Sequence, residues 1–242
     1  MRDTHILPTE EDTARAAAEL VSALATKAAE TKGRFTVALS GGSTPRLLYS
    51  QLSSPRFASY MAWDKWHVFW SDERCVPPDH ADSNYRLAKE HLLDRVPILP
   101  DRIYRLRGEL DPSEAAWEYE RRLLEVFREA KPVFDLILLG MGEDGHTASL
   151  FPGTEALHEE RRLVVANWVP QFAAWRLTFT LPLINAAAVI VFLVTQESKA
   201  AVVRRVLQSP SDGVPLPAAR VRSFSGTVHW FLTSAAGKLL GP

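Results

Sequence analysis

The chain has 242 residues, 46% of them hydrophobic, which is enough to bury a full core and falls between one large domain and two small ones. Lys and Arg total 28 against 29 Asp and Glu, so a net charge of -1 exerts no long-range pull on nucleic acid or an anionic membrane, and neither is expected as a partner. The single cysteine, Cys75, excludes an intramolecular disulfide and a cysteine-based zinc site, and fits a reducing compartment.

The N-terminal stretch MRDTHILPTEEDT lacks the basic start and apolar run of a signal peptide. The longest apolar run, Ala186 to Val194, falls far short of the roughly 20 residues a membrane span needs, so a soluble cytoplasmic protein is expected. From Glu10 to Lys32, small and apolar residues (Ala14, Ala17, Ala18, Val21, Leu24, Ala25, Ala28) recur at spacings of three and four, and Gly33 follows: a helix. Phe35 to Leu39 is a short apolar strand broken by Ser40-Gly41-Gly42, after which Pro45 opens a helix through Leu52. The alternation continues with a strand at Trp66 to Trp70 and helices at Ser83 to Leu93 and Ser113 to Ala130, the latter with Trp117, Leu123, Leu124 and Phe127 turned inward. Strands are expected at Phe134 to Leu139, Leu163 to Asn167, Trp175 to Thr180 and Ala188 to Thr195, then a helix at Glu197 to Leu207, an exposed Pro-rich loop at Ser209 to Pro217, and a last strand at Val228 to Leu232.

Near-continuous apolar strands alternating with helices predict an α/β fold, a mostly parallel central sheet with helices on both faces, as one domain over residues 1–242. In such sheets ligands collect beyond the carboxyl ends of the strands. The polar segments SGGSTP, SDER, GMGEDGH and QESK each follow a strand, so they are expected to meet in one crevice.

In Ser40 to Pro45, Gly41 and Gly42 let backbone N–H groups approach an anion, Ser43 and Thr44 add hydroxyl donors, and the following helix points its positive end at the same place. A plain strand-to-helix turn with a hydroxyl N-cap is the competing reading. No Lys-Ser/Thr pair completes a Walker loop, so a nucleoside triphosphate with magnesium is not expected. Asp72-Glu73-Arg74 reads either as a surface ion-pair cluster or as an arginine aimed at a phosphate, with Asp72 in the substrate pocket. Lys199, in the first turn of its helix, opposes the helix dipole unless an anion is near.

Gly140, Gly142 and Gly145 have dinucleotide-loop spacing, yet Glu143 and Asp144 occupy the positions where a pyrophosphate would lie, Pro152 cuts short the needed helix, and no acid stands about twenty residues on. The turn instead presents His146, a group able to take a proton from water and return it, beside Asp144, which can fix its tautomer. Loop N–H groups such as those around Gly142 are candidates to hold an oxyanion.

Together, SGGSTP, SDER, GMGEDGHTASLFPG, RLTFTLPLINAA and QESKA resemble the 6-phosphogluconolactonase family of the glucosamine/galactosamine-6-phosphate isomerase superfamily, with motifs spanning Ser40 to Ala200. The resemblance implies a Rossmann-like α/β domain that hydrolyses 6-phosphoglucono-1,5-lactone without metal or cofactor, in the oxidative pentose phosphate pathway; a monomer is expected, although the sequence does not disclose oligomeric state. It implies His146 as general base with Asp144 beside it, and Gly41, Gly42, Ser43, Thr44, Arg74 and Lys199 on the 6-phosphate, joined by Arg176. Glucosamine-6-phosphate deaminases share a similar turn but carry a further acid after the histidine, whereas Thr147 to Pro152 contains none. A non-catalytic sugar-phosphate sensor is the third reading, though it has no need of Asp144 and His146.

Overall fold

The computed structural model describes residues 2–128, 131–208 and 215–241. The N-terminal segment is a strand, β1 (Arg2–Leu7), which no apolar run in the sequence announces. α1 (Glu10–Lys32) follows, its first turn held by the Thr9 side chain accepting from the Asp12 N–H and its end closed by Gly33 at φ 69°. Next come β2 (Phe35–Leu39), α2 (Ser43–Leu52), the single turn α3 (Pro55–Ala58), β3 (Trp66–Trp70), β4 (Asp72–Arg74), α4 (Asn84–His91) and α5 (Pro112–Phe127). The second half holds β5 (Leu136–Leu139), β6 (Val164–Val169), β7 (Ala174–Phe179), α6 (Leu181–Ala186), β8 (Val189–Val194), α7 (Ala200–Gln208), β9 (Thr227–Thr233) and α8 (Ser234–Gly237).

Six strands form a wholly parallel sheet in the order β1-β9-β8-β5-β2-β3. The inner strands β2 and β5 are buried along their whole length, so both faces of the sheet are covered, as their continuous apolar runs require. The chain passes from β2 outward to β3 and then returns to β5 on the other side of β2. The gap between the carboxyl ends of β2 and β5 is therefore the switch point at which this architecture opens a crevice. Asp135 locks these two strands together: its Oδ2 accepts from the Thr36 N–H (2.9 Å) and Thr36 Oγ1 (2.8 Å), and its Oδ1 pairs with Lys32 Nζ at 2.5 Å.

Two expected members of the sheet lie elsewhere. β7 pairs antiparallel with both β6 and β4 in a separate three-stranded sheet ordered β4-β7-β6. The physical reason is the short link from Val169 to Ala174, which permits a hairpin, whereas a parallel pair needs a crossover of about a dozen residues. SDER is likewise no free loop after β3, since Asp72 to Arg74 is the edge strand β4. α5 packs on β6 and β7 through Ala116, Tyr119, Leu123 and Phe127. Trp117 and Leu124, expected to face inward, are 63% and 36% exposed, because each falls beside that stripe, not on it. α5 ends at Phe127 with Arg128 left-handed at φ 56°, and the expected continuation to Ala130 lies outside the described residues. One continuous apolar core nevertheless runs through both sheets, from Ala17 of α1 to Ala236 of α8.

Candidate active site

The turn after β5 is closed by its own backbone: the Gly145 N–H donates to the Gly142 carbonyl (3.0 Å) and the Gly142 N–H to the His146 carbonyl (2.9 Å). The N–H groups of Gly142 and Gly145, among the expected oxyanion donors, are thus engaged within the turn. No helix follows, since Thr147 bridges to Leu150, so the geometry of a dinucleotide loop is absent. Asp144 Oδ1 sits 2.6 Å from His146 Nδ1 and also accepts the His146 backbone N–H at 3.0 Å, which assigns the Nδ1 proton to this contact and leaves Nε2 without a hydrogen-bond partner among the described residues. Burial works to raise the Asp144 pKa, but the hydrogen bonds from the His146 ring and backbone outweigh it and hold the carboxyl at about 2. Phe151 stacks on the imidazole with centroids 4.0 Å apart, restricting the ring's swing.

At β2 the Tyr49 hydroxyl clamps Ser40, accepting its N–H at 3.1 Å and donating to its carbonyl at 2.6 Å. Gly42 then turns at φ 94°, a conformation that favours glycine, and starts α2 with no side-chain cap. The hydroxyl N-cap anticipated as the plain alternative is not made, and the first N–H groups of α2 stay open to an anion. Arg74 and Arg176 are opposite partners in the β4–β7 ladder. Burial and the charge of Arg74 both lower the Arg176 pKa, and burial lowers that of Lys199, partly offset by Glu143. Each of these two cations is destabilised in a way that a bound anion would relieve.

The D-E-R run is not a surface ion-pair cluster. Asp72 and Glu73 are 6% and 2% exposed. Asp72 Oδ2 accepts from Ser149 Oγ at 2.8 Å. Glu73 accepts from the backbone N–H groups of Arg74, Asn84 and Tyr85 and from Ser83 Oγ, bracing the start of α4 against β4 while burial raises its pKa.

One cavity of about 220 Å³ is lined by Gly41, Gly42, Ser43, Thr44, Asp72 and Arg74 on one side and by Gly142, His146 and Lys199 on the other. Asp144 and Arg176 stand behind this wall, the first on His146 and the second across from Arg74. Asn84 and Gln196 also line the cavity; Gln196 opens the QESK segment, whereas the only sequence hint to Asn84 is its place after Ser83, the helix N-cap. Gln171, on the β6–β7 turn, donates to Asp144 Oδ2 at 3.4 Å. The described end of the expected exposed loop, Pro215 to Pro217, is packed in part: Leu216 covers Gly145, and the Ala218 N–H donates to the Gly145 carbonyl at 3.0 Å. Residues 209–214 of that loop lie outside the described residues. A larger cleft of about 710 Å³, walled by Trp117, Trp168 and Trp175, is lined by none of His146, Arg74 and Arg176.

A sequence profile described as glucosamine-6-phosphate isomerases/6-phosphogluconolactonase matches residues 8–230. The chain belongs to this family. The 6-phosphogluconolactonase of Homo sapiens is 41% identical over 214 residues, covering 86% of this chain and 82% of that protein, and that of Haemophilus influenzae is 39% identical over 204 residues, covering 84% and 87%. A probable chloroplastic 6-phosphogluconolactonase of Oryza sativa is 41% identical over 97% of this chain and 75% of its own. Among solved structures, 6-phosphogluconolactonase from Trypanosoma brucei superposes with a TM-score of 0.88 at 27% identity, over 100% of this chain and 99% of that one. A monomeric glucosamine-6-phosphate deaminase reaches a TM-score of 0.82 at 21% identity over 98% and 99% of the two chains, a likeness of fold alone. Among the described residues no helix is long and apolar enough to cross a membrane.

Proposed function

We propose that this chain hydrolyses 6-phospho-D-glucono-1,5-lactone to 6-phospho-D-gluconate, the lactone-opening step of the oxidative pentose phosphate pathway, with His146 as the general base. The observation that carries the reading is the joining of two unlike sites in one cavity: an imidazole backed by a carboxylate, and an anion end made of Arg74, Lys199 and the uncapped start of α2. The 6-phosphate occupies the Gly41-Gly42-Ser43-Thr44 loop between Arg74 and Lys199, with Arg176 adding charge behind Arg74. The lactone carbonyl then faces His146. Nε2 takes a proton from water as the oxygen attacks C1, and the imidazolium is held by Asp144. As the tetrahedral species collapses, the C1–O5 bond breaks and the same proton passes to the departing ring oxygen, which becomes the 5-hydroxyl. Because that oxygen stays tethered, one base and good positioning supply the catalysis, and no covalent nucleophile is called on. Ser149, the serine nearest the turn in sequence, donates to Asp72 and not to a histidine.

On this reading the partner is a small sugar phosphate, and the lone cysteine supports a cytoplasmic setting. The test is a coupled assay on freshly made lactone at mildly acidic pH, beside a glucosamine 6-phosphate control. His146→Ala is expected to cut the enzymatic rate by about 10²–10⁴-fold while 6-phosphogluconate binding stays within severalfold. Near-wild-type turnover in the variant overturns the base assignment, and ammonia release in the control transfers the chain to the deaminase reading.

A further inference from the structure

Asn84 lines the cavity, yet the anion end and the base leave it without a task. It is 2% exposed and held at two points: its N–H donates to Glu73 Oε1 at 2.7 Å, and its side-chain Nδ2 donates to the Asp72 carbonyl at 2.9 Å. A carbonyl only accepts, so the second contact fixes the orientation of the amide and turns Oδ1 the other way. There it lies against the glycine loop, where a Cβ placed on Gly41 would fall 1.7 Å from Oδ1. Among the described residues no donor reaches Oδ1. Among the described residues the fully enclosed polar side-chain atoms without a partner are Ser40 Oγ, Ser54 Oγ, Trp70 Nε1 and Trp230 Nε1, and Oδ1 is not one of them, so it opens on the cavity.

The lining around it is rich in donors: Arg74, Lys199, Ser43 and Thr44. Those suit a phosphate. A sugar phosphate also brings donors of its own, its ring hydroxyls, and these need acceptors on the wall. Asp72 is one such acceptor, but its Oδ2 already takes the Ser149 hydroxyl. We propose that Asn84 Oδ1 accepts a hydrogen bond from a ring hydroxyl of the bound sugar, which makes Asn84 a specificity-determining residue. This rests on the sugar-phosphate reading above. The residue is pre-set for the role, because the contacts to Glu73 and Asp72 immobilise it before any ligand arrives, and a site with a fixed acceptor discriminates against a ligand that lacks the matching donor.

The experiment compares wild type, Asn84→Ser and Asn84→Ala on 6-phosphogluconolactone and on its 2-deoxy, 3-deoxy and 4-deoxy analogues. In wild type, one analogue is expected to lose about tenfold in kcat/KM; the variants lose about tenfold on the parent lactone and nothing further on that analogue, the signature of a single broken contact. If Asn84 merely braces α4, the variants lose the same factor on all four lactones, and that result overturns the proposal. A wild type indifferent to all three deletions also overturns it, and that measurement requires no variant to fold. Failure of wild type to open the parent lactone at all defeats the functional reading itself, an outcome distinct from loss of discrimination.

Discussion

Gly142 is bare because His146 needs the room. A Cβ there would lie 2.1 Å from His146 Nδ1 and 2.7 Å from Asp144 Oδ1, so any side chain displaces the imidazole or its carboxylate. Gly142→Ala is therefore expected to lower kcat about 100-fold, since a displacement of about 1 Å at the reacting group costs that much, while the melting temperature moves by a few degrees at most. A variant with wild-type kcat would mean that the base does not need its observed position. Gly145 is constrained twice, by a left-handed φ of 78° and by Leu216, which a Cβ would approach to 2.8 Å. Asp144, with its pKa held at about 2, stays charged at neutral pH, as support of an imidazolium on the proposed reading requires. Much at this scale is legible in sequence: the D-G-H triplet and the paired glycines announce a turn that sets a histidine beside a carboxylate. Asn84 and Gln171 are not legible, because their roles arise from contacts with residues 12 and 27 positions away.

The strand pair β4–β7 sets two arginines against each other. Like charges directly opposite on a ladder destabilise it, and Arg74 and Arg176 occupy such a pair with Arg176 already lowered in pKa. An anion bound between them turns that repulsion into attraction. Arg74→Ala is accordingly expected to raise KM for the phosphorylated lactone about tenfold or more with kcat little changed, and to leave the melting temperature of the free protein unchanged or slightly higher. Inorganic phosphate should raise the melting temperature of wild type more than that of the variant, a difference that calorimetry reads directly. Equal stabilisation of both proteins by phosphate would remove Arg74 from the anion site. The sequence offers Arg74 as a candidate by its place after a strand and Arg176 by resemblance. It does not identify their pairing, because which strands neighbour one another depends on the whole chain. The same limit explains β1: RDTHIL alternates polar with apolar residues too weakly to read as a strand, and only its parallel register on β9 makes it one.

Across the whole molecule, acid lability should come in two stages. His67, half-buried and in contact with the Tyr104 hydroxyl at 3.1 Å, has its pKa pushed down to about 4, first by burial and then by Arg102 and Arg34; burial lowers His91 and His229 as well. A histidine whose folded pKa lies below its unfolded value favours the folded state when neutral, so its contribution is complete above the unfolded value of 6.5 and is lost as the pH falls toward 4. Asp144, Glu109 and Glu159 are each held at about 2, Asp144 and Glu159 by hydrogen bonds from their own turns and Glu109 by the Arg105 guanidinium. Their contribution persists above their unfolded values of 3.8 and 4.5 and disappears as the pH falls toward 2. His67→Gln should shrink the fall in melting temperature between pH 6.5 and 4 and leave the carboxylate stage untouched, as a pH series of thermal scans would register; a first stage of unchanged size would exclude His67 from it. The sequence alone determined the alternation of elements, the parallel core and the four polar segments, because apolar periodicity, glycine breaks and charged turns are local and each is written within a few residues. The tertiary structure alone decided that β6 and β7 leave the parallel sheet, that Trp117 faces outward, that two arginines oppose each other and that Asn84 looks into the cavity. Those facts depend on strand order and on contacts between distant segments, which exist only once the chain has closed on itself.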